Sequence, residues 1–168
     1  MAEHNTREGW FPPPRDCLKI NIDAAFCSSS REASLGAVAR NTEAEVCFSA
    51  VTKLQGFESP LQAEIKAIWF GLQVAREMNY KSIQLESDCL LTVLEISKKD
   101  DSYYEWDCFI SEILDLSLEY ESCDFFHISR KANNLAHNIA KSECILGEHR
   151  IWRNELPPLI CNLDSRSA

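Results

Sequence analysis

The sequence predicts one α/β domain: a five-stranded mixed sheet, three antiparallel strands followed by two parallel ones, flanked by helices. Three observations predict it. Early segments alternate apolar and polar residues with the period of two that marks strands. From residue 60 the apolar spacing changes to that of a helix. Beyond that, short strand-like runs alternate with helical ones, the pattern of strand–helix–strand units.

Residues 1–16 read as an N-terminal extension, stiffened by Pro12, Pro13 and Pro14 before the first strand. In "CLKINIDAAF", Leu18, Ile20 and Ile22 alternate with Lys19, Asn21 and Asp23, a strand with one apolar face. "SLGAVARN" and "EVCFSAVTKL" pair as a hairpin across a polar turn at 41–44, and Gly36 marks a bulge or a close backbone approach. From Pro60 to Met78 the apolar residues Ile65, Ile68, Trp69 and Leu72 recur at helical spacing, and Pro60 suits a helix start. "KSIQLES" is a fourth strand, with Ile83 and Leu85 on one face and Gln84, Glu86 and Asp88 on the other. A short helix opens at Asp88, carrying Leu91, Val93 and Leu94, and residues 104–120 form an amphipathic one. "CDFFHIS" is the fifth strand, and "KANNLAHNIAKSECI" is a final helix with Leu135, Ile139 and Ala140 inward. The domain thus occupies residues 17–146, and residues 147–168 read as a C-terminal tail.

The composition narrows the function classes. Hydrophobic residues make up 45% and charged residues 26% of 168, an ordinary globular balance. Lys plus Arg number 17 against 26 Asp plus Glu, so a net charge of -9 argues against life by non-specific attraction to phosphates. None of the eight cysteines forms a C-x-x-C or C-x-H pair, which removes zinc-ribbon and thioredoxin readings. They mostly stand where apolar residues would, as buried free thiols do. The start is polar, without the apolar stretch of a signal peptide, and no apolar run reaches bilayer length. A reducing interior, cytoplasmic or nuclear, with no membrane partner is the expectation.

Two carboxylates close strands. Asp23 ends the first and Asp88 the fourth; if those strands are parallel neighbours, both face the crevice where such sheets bind ligands. Taken singly, Asp23 is an ordinary turn former and Asp88 an ordinary N-cap. Glu64 is less easily explained. It stands in the first turn of its helix, yet shares an inward stripe with Ile68 and Leu72. The helix dipole returns only ~0.3–1 kcal/mol, far less than burying an unpaired carboxylate costs, so Glu64 needs a cation or a proton. An all-oxygen cluster of this kind favours Mg²⁺ or Mn²⁺.

The stretches "KINIDAAF", "LGAVARN", "QAEIKAIWFGLQVA", "IQLESDCLLTV" and "HISRKANNLAHNIAK" stand in the order of a type 1 ribonuclease H domain. More narrowly, the chain resembles the plant reverse-transcriptase-like ribonuclease H proteins, including the Trp152 and "ELPPLI" end. Each stretch is a weak signal; five in register over residues 17–146 carry the resemblance. It implies four metal-binding carboxylates around two Mg²⁺ (or Mn²⁺) ions, with Asp23, Glu64 and Asp88 matching the first three. The implied activity is endonucleolytic hydrolysis of the RNA strand of a DNA–RNA hybrid by a monomer.

The pattern departs at the fourth acid. In the family it follows an Asn by four residues on the last helix, and counting from Asn133 lands on His137. A neutral imidazole suits Mn²⁺ better than Mg²⁺. His127 falls where some relatives carry a histidine that helps product leave. Ala24 stands where the family has a glycine, and with Asn133 it would lie against the nucleic acid. No basic helix for gripping a hybrid is visible, so binding should be weak and strongly salt-dependent. His137, Ala24 and the net charge also suit a catalytically impaired nucleic-acid-binding or protein-interaction domain of retroelement origin, the latter using Trp69, Trp106 and Trp152.

Overall fold

The computed structural model describes residues 7–98 and 107–164. The strands are β1 (Leu18–Cys27), β2 (Glu32–Arg40), β3 (Val46–Gln55), β4 (Ser82–Ser87), β5 (Ser122–His127) and β6 (His149–Arg153). The helices are α1 (Pro60–Glu77), α2 (Leu90–Ser97), α3 (Asp107–Ser117), α4 (Asn134–Ala140) and α5 (Pro158–Asp164). The strand order is β5-β4-β1-β2-β3-β6. β1, β2 and β3 pair antiparallel, while β4 joins β1 and β5 joins β4 in parallel. The sheet therefore has six strands rather than five. The sixth comes from residues 149–153, read from sequence as tail, whose alternating "HRIWR" is too short to be distinctive; it pairs antiparallel with β3.

The elements follow from local chemistry. Asn41 builds the β2–β3 turn, its Oδ1 accepting from the Glu43 and Glu45 amides while Ala44 takes φ 64°. Ser59 caps α1 by accepting from the Gln62 amide, and Pro60 takes the first helical position. Glu64 is thus the fifth residue of α1, in its second turn and not its first. The helix read over 104–120 is described as α3 from Asp107; residues 104–106, with Trp106, lie outside the described residues. The N-cap of α2 is Cys89 and not Asp88, whose carboxylate is left for other work.

Both faces of the sheet are covered. On the first, α1 packs against Ile20, Ile22 and Ala37, with Ile96 of α2 and Ile113 and Leu116 of α3 closing the same core. On the second, Ala136 and Ile139 of α4 and Ile160 of α5 meet Val38 and Val51. Leu135 and Trp152 are half-buried at the edge of this smaller core, and Trp69 at the edge of the larger one. Because of this double cover, Lys19, Asn21 and Asp23 are buried, although alternation gave the strand only one apolar face. The eight cysteines are unpaired, five half-buried and Cys27, Cys108 and Cys161 exposed, so none is the fully buried thiol the pattern suggested. No helix among the described residues is long and apolar enough to cross a membrane.

Gly36 marks a close approach; the irregularity in β2 lies elsewhere, between Ala39 and Arg40. A Cβ at Gly36 would sit 2.5 Å from the Ala140 nitrogen and 3.0 Å from the Ala136 oxygen, both backbone atoms of α4. Neither can yield without moving the helix. Gly36→Ala should therefore cost about 2–3 kcal/mol, lowering Tm by roughly 5–10 °C in a thermal melt. A variant as stable as the parent would mean that α4 does not seat here.

Candidate active site

Parallel pairing sets the site. Ile22 lies opposite Ser87, where the β1–β4 pairing ends, so Asp23 and Asp88 follow side by side. Asp88 leaves β4, but Asp23 stands mid-strand and not at the end the sequence suggested, because β1 runs on to Cys27 paired with β2. Gly71 lets α1 lie on β1, where a Cβ would meet Ile22 Cγ2 at 2.9 Å, and this brings Glu64 over the same part of the strand. One carboxylate oxygen from each of Asp23, Glu64 and Asp88 lies within 4.8 Å of the other two. Asp23 is almost fully buried and the other two half-buried.

Such a cluster is unfavourable by itself. Two unit charges at this spacing repel by about 3–4 kcal/mol at an effective dielectric of ~20, more than any helix dipole offers in a second turn. Burial, then the charges of Asp23 and Asp88, push the Glu64 carboxyl up to about 9. Burial and the Asp23 charge also raise Asp88, against the lowering influence of Arg130 and His137. Glu64 Oε2 is buried without a hydrogen-bond partner. A buried carboxylate with one oxygen unpartnered, grouped with two other carboxylates, fits a hard divalent cation, since such an ion satisfies all three groups at once.

The residues singled out from sequence distribute around this cluster. His137, on α4, places Nδ1 2.7 Å from Asp23 Oδ2. It touches the cluster through Asp23 but does not join the three-way group of oxygens. Asn133, one turn earlier and buried, donates from Nδ2 to the Ile22 carbonyl at 2.8 Å, beside Asp23. His127 Nε2 lies 3.1 Å from the Asp88 carbonyl oxygen, which can only accept, so that nitrogen carries the proton. Ala24 continues β1 beyond Asp23, half-buried against the larger core.

Two features escaped the sequence reading. Arg130 Nε approaches Asp88 Oδ2 at 3.7 Å from a largely exposed side chain, and "SRKANN" offered only an unremarkable basic pair. The second is a buried polar layer behind the acids, in which Lys19 Nζ pairs with Glu86 Oε1 at 3.1 Å. Lys19 and Glu86 are diagonal neighbours, since Lys19 lies opposite Gln84 and Glu86 opposite Asn21, so nothing in the sequence announced the pair.

The family's sequence profile for reverse transcriptase-like proteins matches residues 21–143. The chain belongs to the reverse transcriptase-like family. This reverse transcriptase-like domain has the ribonuclease H fold, as solved structures show. Ribonuclease H1 of the halophilic archaeon Halobacterium salinarum superposes with TM-score 0.68 at 18% identity, covering 74% of this chain and 94% of that one. The N-terminal ribonuclease H domain of a Mycobacterium tuberculosis protein gives 0.66 at 17%, covering 74% and 90%. LC11 ribonuclease H1, solved in complex with an RNA/DNA hybrid, gives 0.65 at 16%, covering 73% and 92%. A search of curated proteins found no match.

The Glu64 carboxyl makes stability pH-dependent. Its folded value, about 9, stands above the ordinary 4.5, so between the two the folded chain holds a proton that the unfolded chain has lost. Stability conferred by that proton is complete below about 4.5 and falls as pH rises through about 9. Glu64→Gln removes the effect. In EDTA its Tm should match the parent near pH 5 and exceed it by roughly 3–6 °C near pH 9. A difference that stays flat with pH would show that Glu64 is not held against the aspartates.

Proposed function

We propose that the domain is a metal-dependent endonuclease that hydrolyses the RNA strand of DNA–RNA hybrids. The observation that carries it is the trio Asp23, Glu64 and Asp88, drawn within 4.8 Å with an oxygen of Glu64 left unpartnered. Family membership supports the reading, as does the hybrid bound by one structural relative. Asp23, Glu64 and Asp88, with His137 at the rim, would hold two Mg²⁺ or Mn²⁺ ions. Divalent ions there supply Lewis acidity and charge neutralisation toward a phosphodiester.

The chain's own residues do the rest. Asp23, the most buried of the three acids, is held in place by Asn133, which donates to the carbonyl of its neighbour Ile22. The buried setting keeps the carboxylates poorly solvated, so they bind a cation more strongly than surface acids would. His127 ties the Asp88 backbone to β5, restricting the loop that carries the third acid. Arg130, exposed beside Asp88, would meet a substrate phosphate at the rim.

One observation favours a second reading, a module that binds hybrids without turnover. His137 Nδ1 already satisfies Asp23 Oδ2 at 2.7 Å, and an imidazole there gives Mg²⁺ nothing that an acid would. Cleavage of an end-labelled RNA strand in a hybrid separates the two. The enzyme should cut faster with Mn²⁺ than with Mg²⁺, lose activity in EDTA, and fall by about 10³-fold or more in Asp88→Asn. His137→Asp should raise the Mg²⁺-supported rate. Retention of the hybrid with no cleavage, by parent and His137→Asp alike, would establish the second reading.

A further inference from the structure

Residues 7–14, part of what the sequence offers as a mere extension, lie over the second face of the sheet. Arg7 forms a parallel bridge with Ile128, and its guanidinium stacks 4.3 Å from the Phe126 ring centre. The Phe11 carbonyl accepts from Lys19 Nζ at 2.5 Å, and Pro13 is buried. Beneath this strap lie Lys19 and Glu86, at 1% and 0% exposure. Burying an ion pair is costly unless further polar contacts satisfy it, and the strap supplies them, the Phe11 carbonyl to Lys19 and the Arg7 guanidinium to Glu86.

The strap also sets a direction. Asn21 sits between two donors and two acceptors. Its Oδ1 accepts from Trp10 Nε1 at 3.0 Å and from Arg40 Nη2 at 3.1 Å. Its Nδ2 then has to face the other way, donating to Glu86 Oε2 at 2.9 Å and to Asn133 Oδ1 at 3.3 Å. With its oxygen so engaged, Asn133 turns its own Nδ2 to the Ile22 carbonyl. The Asn133 carbonyl accepts from the His137 amide at 3.1 Å, the first turn of α4. Indole N–H and guanidinium only donate, so they permit one orientation of the Asn21 amide, and Asn21 permits one of Asn133. Buried amides joined in this way are costly to reverse.

We propose that the Arg7–Pro14 strap is a working part of the site, with Trp10 and Asn21 as positioning residues that orient Asn133 and so hold α4 and His137 against Asp23. The proposal rests on the reading of the acids and His137 as a metal site, and its test can fail independently of that reading.

The test compares the full chain with Trp10→Phe, which keeps an aromatic cover but loses the donor, and with Asn21→Ser as a second variant should the first not fold. The primary readout is the pair of Asn133 side-chain amide resonances in ¹⁵N-edited spectra, with cross-peaks between the Asn133 amide and Ile22. Both variants should move those resonances and weaken the cross-peaks while the Ala136 and Ile139 signals of the smaller core stay in place. Mn²⁺ affinity by calorimetry should fall about 5- to 10-fold, and kcat on a hybrid by a similar factor with KM changed less than about twofold. Unmoved Asn133 resonances would overturn the proposal whatever the activity. Shifted resonances in the variants, with a parent that neither binds Mn²⁺ nor cuts, would uphold the positioning relay and overturn the metal-site reading alone. A strap that only covers Lys19 would lower Tm and leave Asn133 where it is.

Discussion

Parallel pairing of β1 with β4 is the constraint on which the rest depends. It sets Ile22 against Ser87, and therefore Asp23 beside Asp88. A slip of one residue would turn every side chain of β1 to the other face, sending Ile20 and Ile22 out of the main core. Burial of those two isoleucines thus fixes the acids as a by-product of fixing the sheet. Glu64 joins them because α1 is clamped on the same isoleucines through Gly71.

The fold then holds an arrangement that opposes folding. Three carboxylates within 4.8 Å repel one another, which pushes the Glu64 carboxyl up, while His137 stands against Asp23. Strain of this kind at one end of a sheet persists where the surrounding packing over-determines it. Here the packing is the double cover: α1 on one face, and α4 with the N-terminal strap on the other. Gly36 matters for the same reason, since only its missing side chain lets α4 come near enough for His137 to reach β1.

The second face shows how charge can lie within a sheet. Lys19, Asn21 and Glu86 form a closed layer whose donors and acceptors largely answer one another, with Trp10, Arg40, Arg7 and Asn133 around them. A half-satisfied layer would cost more than an apolar one. That explains why a segment rich in proline, which cannot itself enter a central strand, is held so closely against the sheet.

Much of this was legible in the sequence. Period-two alternation in "LKINI" and helical spacing after Pro60 follow from local rules about side-chain direction, and they sufficed for the five strands and for grouping Asp23, Glu64 and Asp88, although Asp23 stands mid-strand in β1 and not at its end. The sixth strand, the cap at Cys89 and the place of Glu64 in the second turn of α1 did not follow. Short edge strands and helix ends depend on neighbours far along the chain, and Cys89 carries no capping side chain to announce itself. Least legible was the burial of Lys19 and Glu86. Alternation assigns residues to a face, but whether water or another segment meets that face is decided by contacts between residues 7–14, 17–23, 82–88 and 133. By itself the sequence determined which residues share a side; only the tertiary structure decided what covers it, because burial is a property of the assembled layers and not of any one of them.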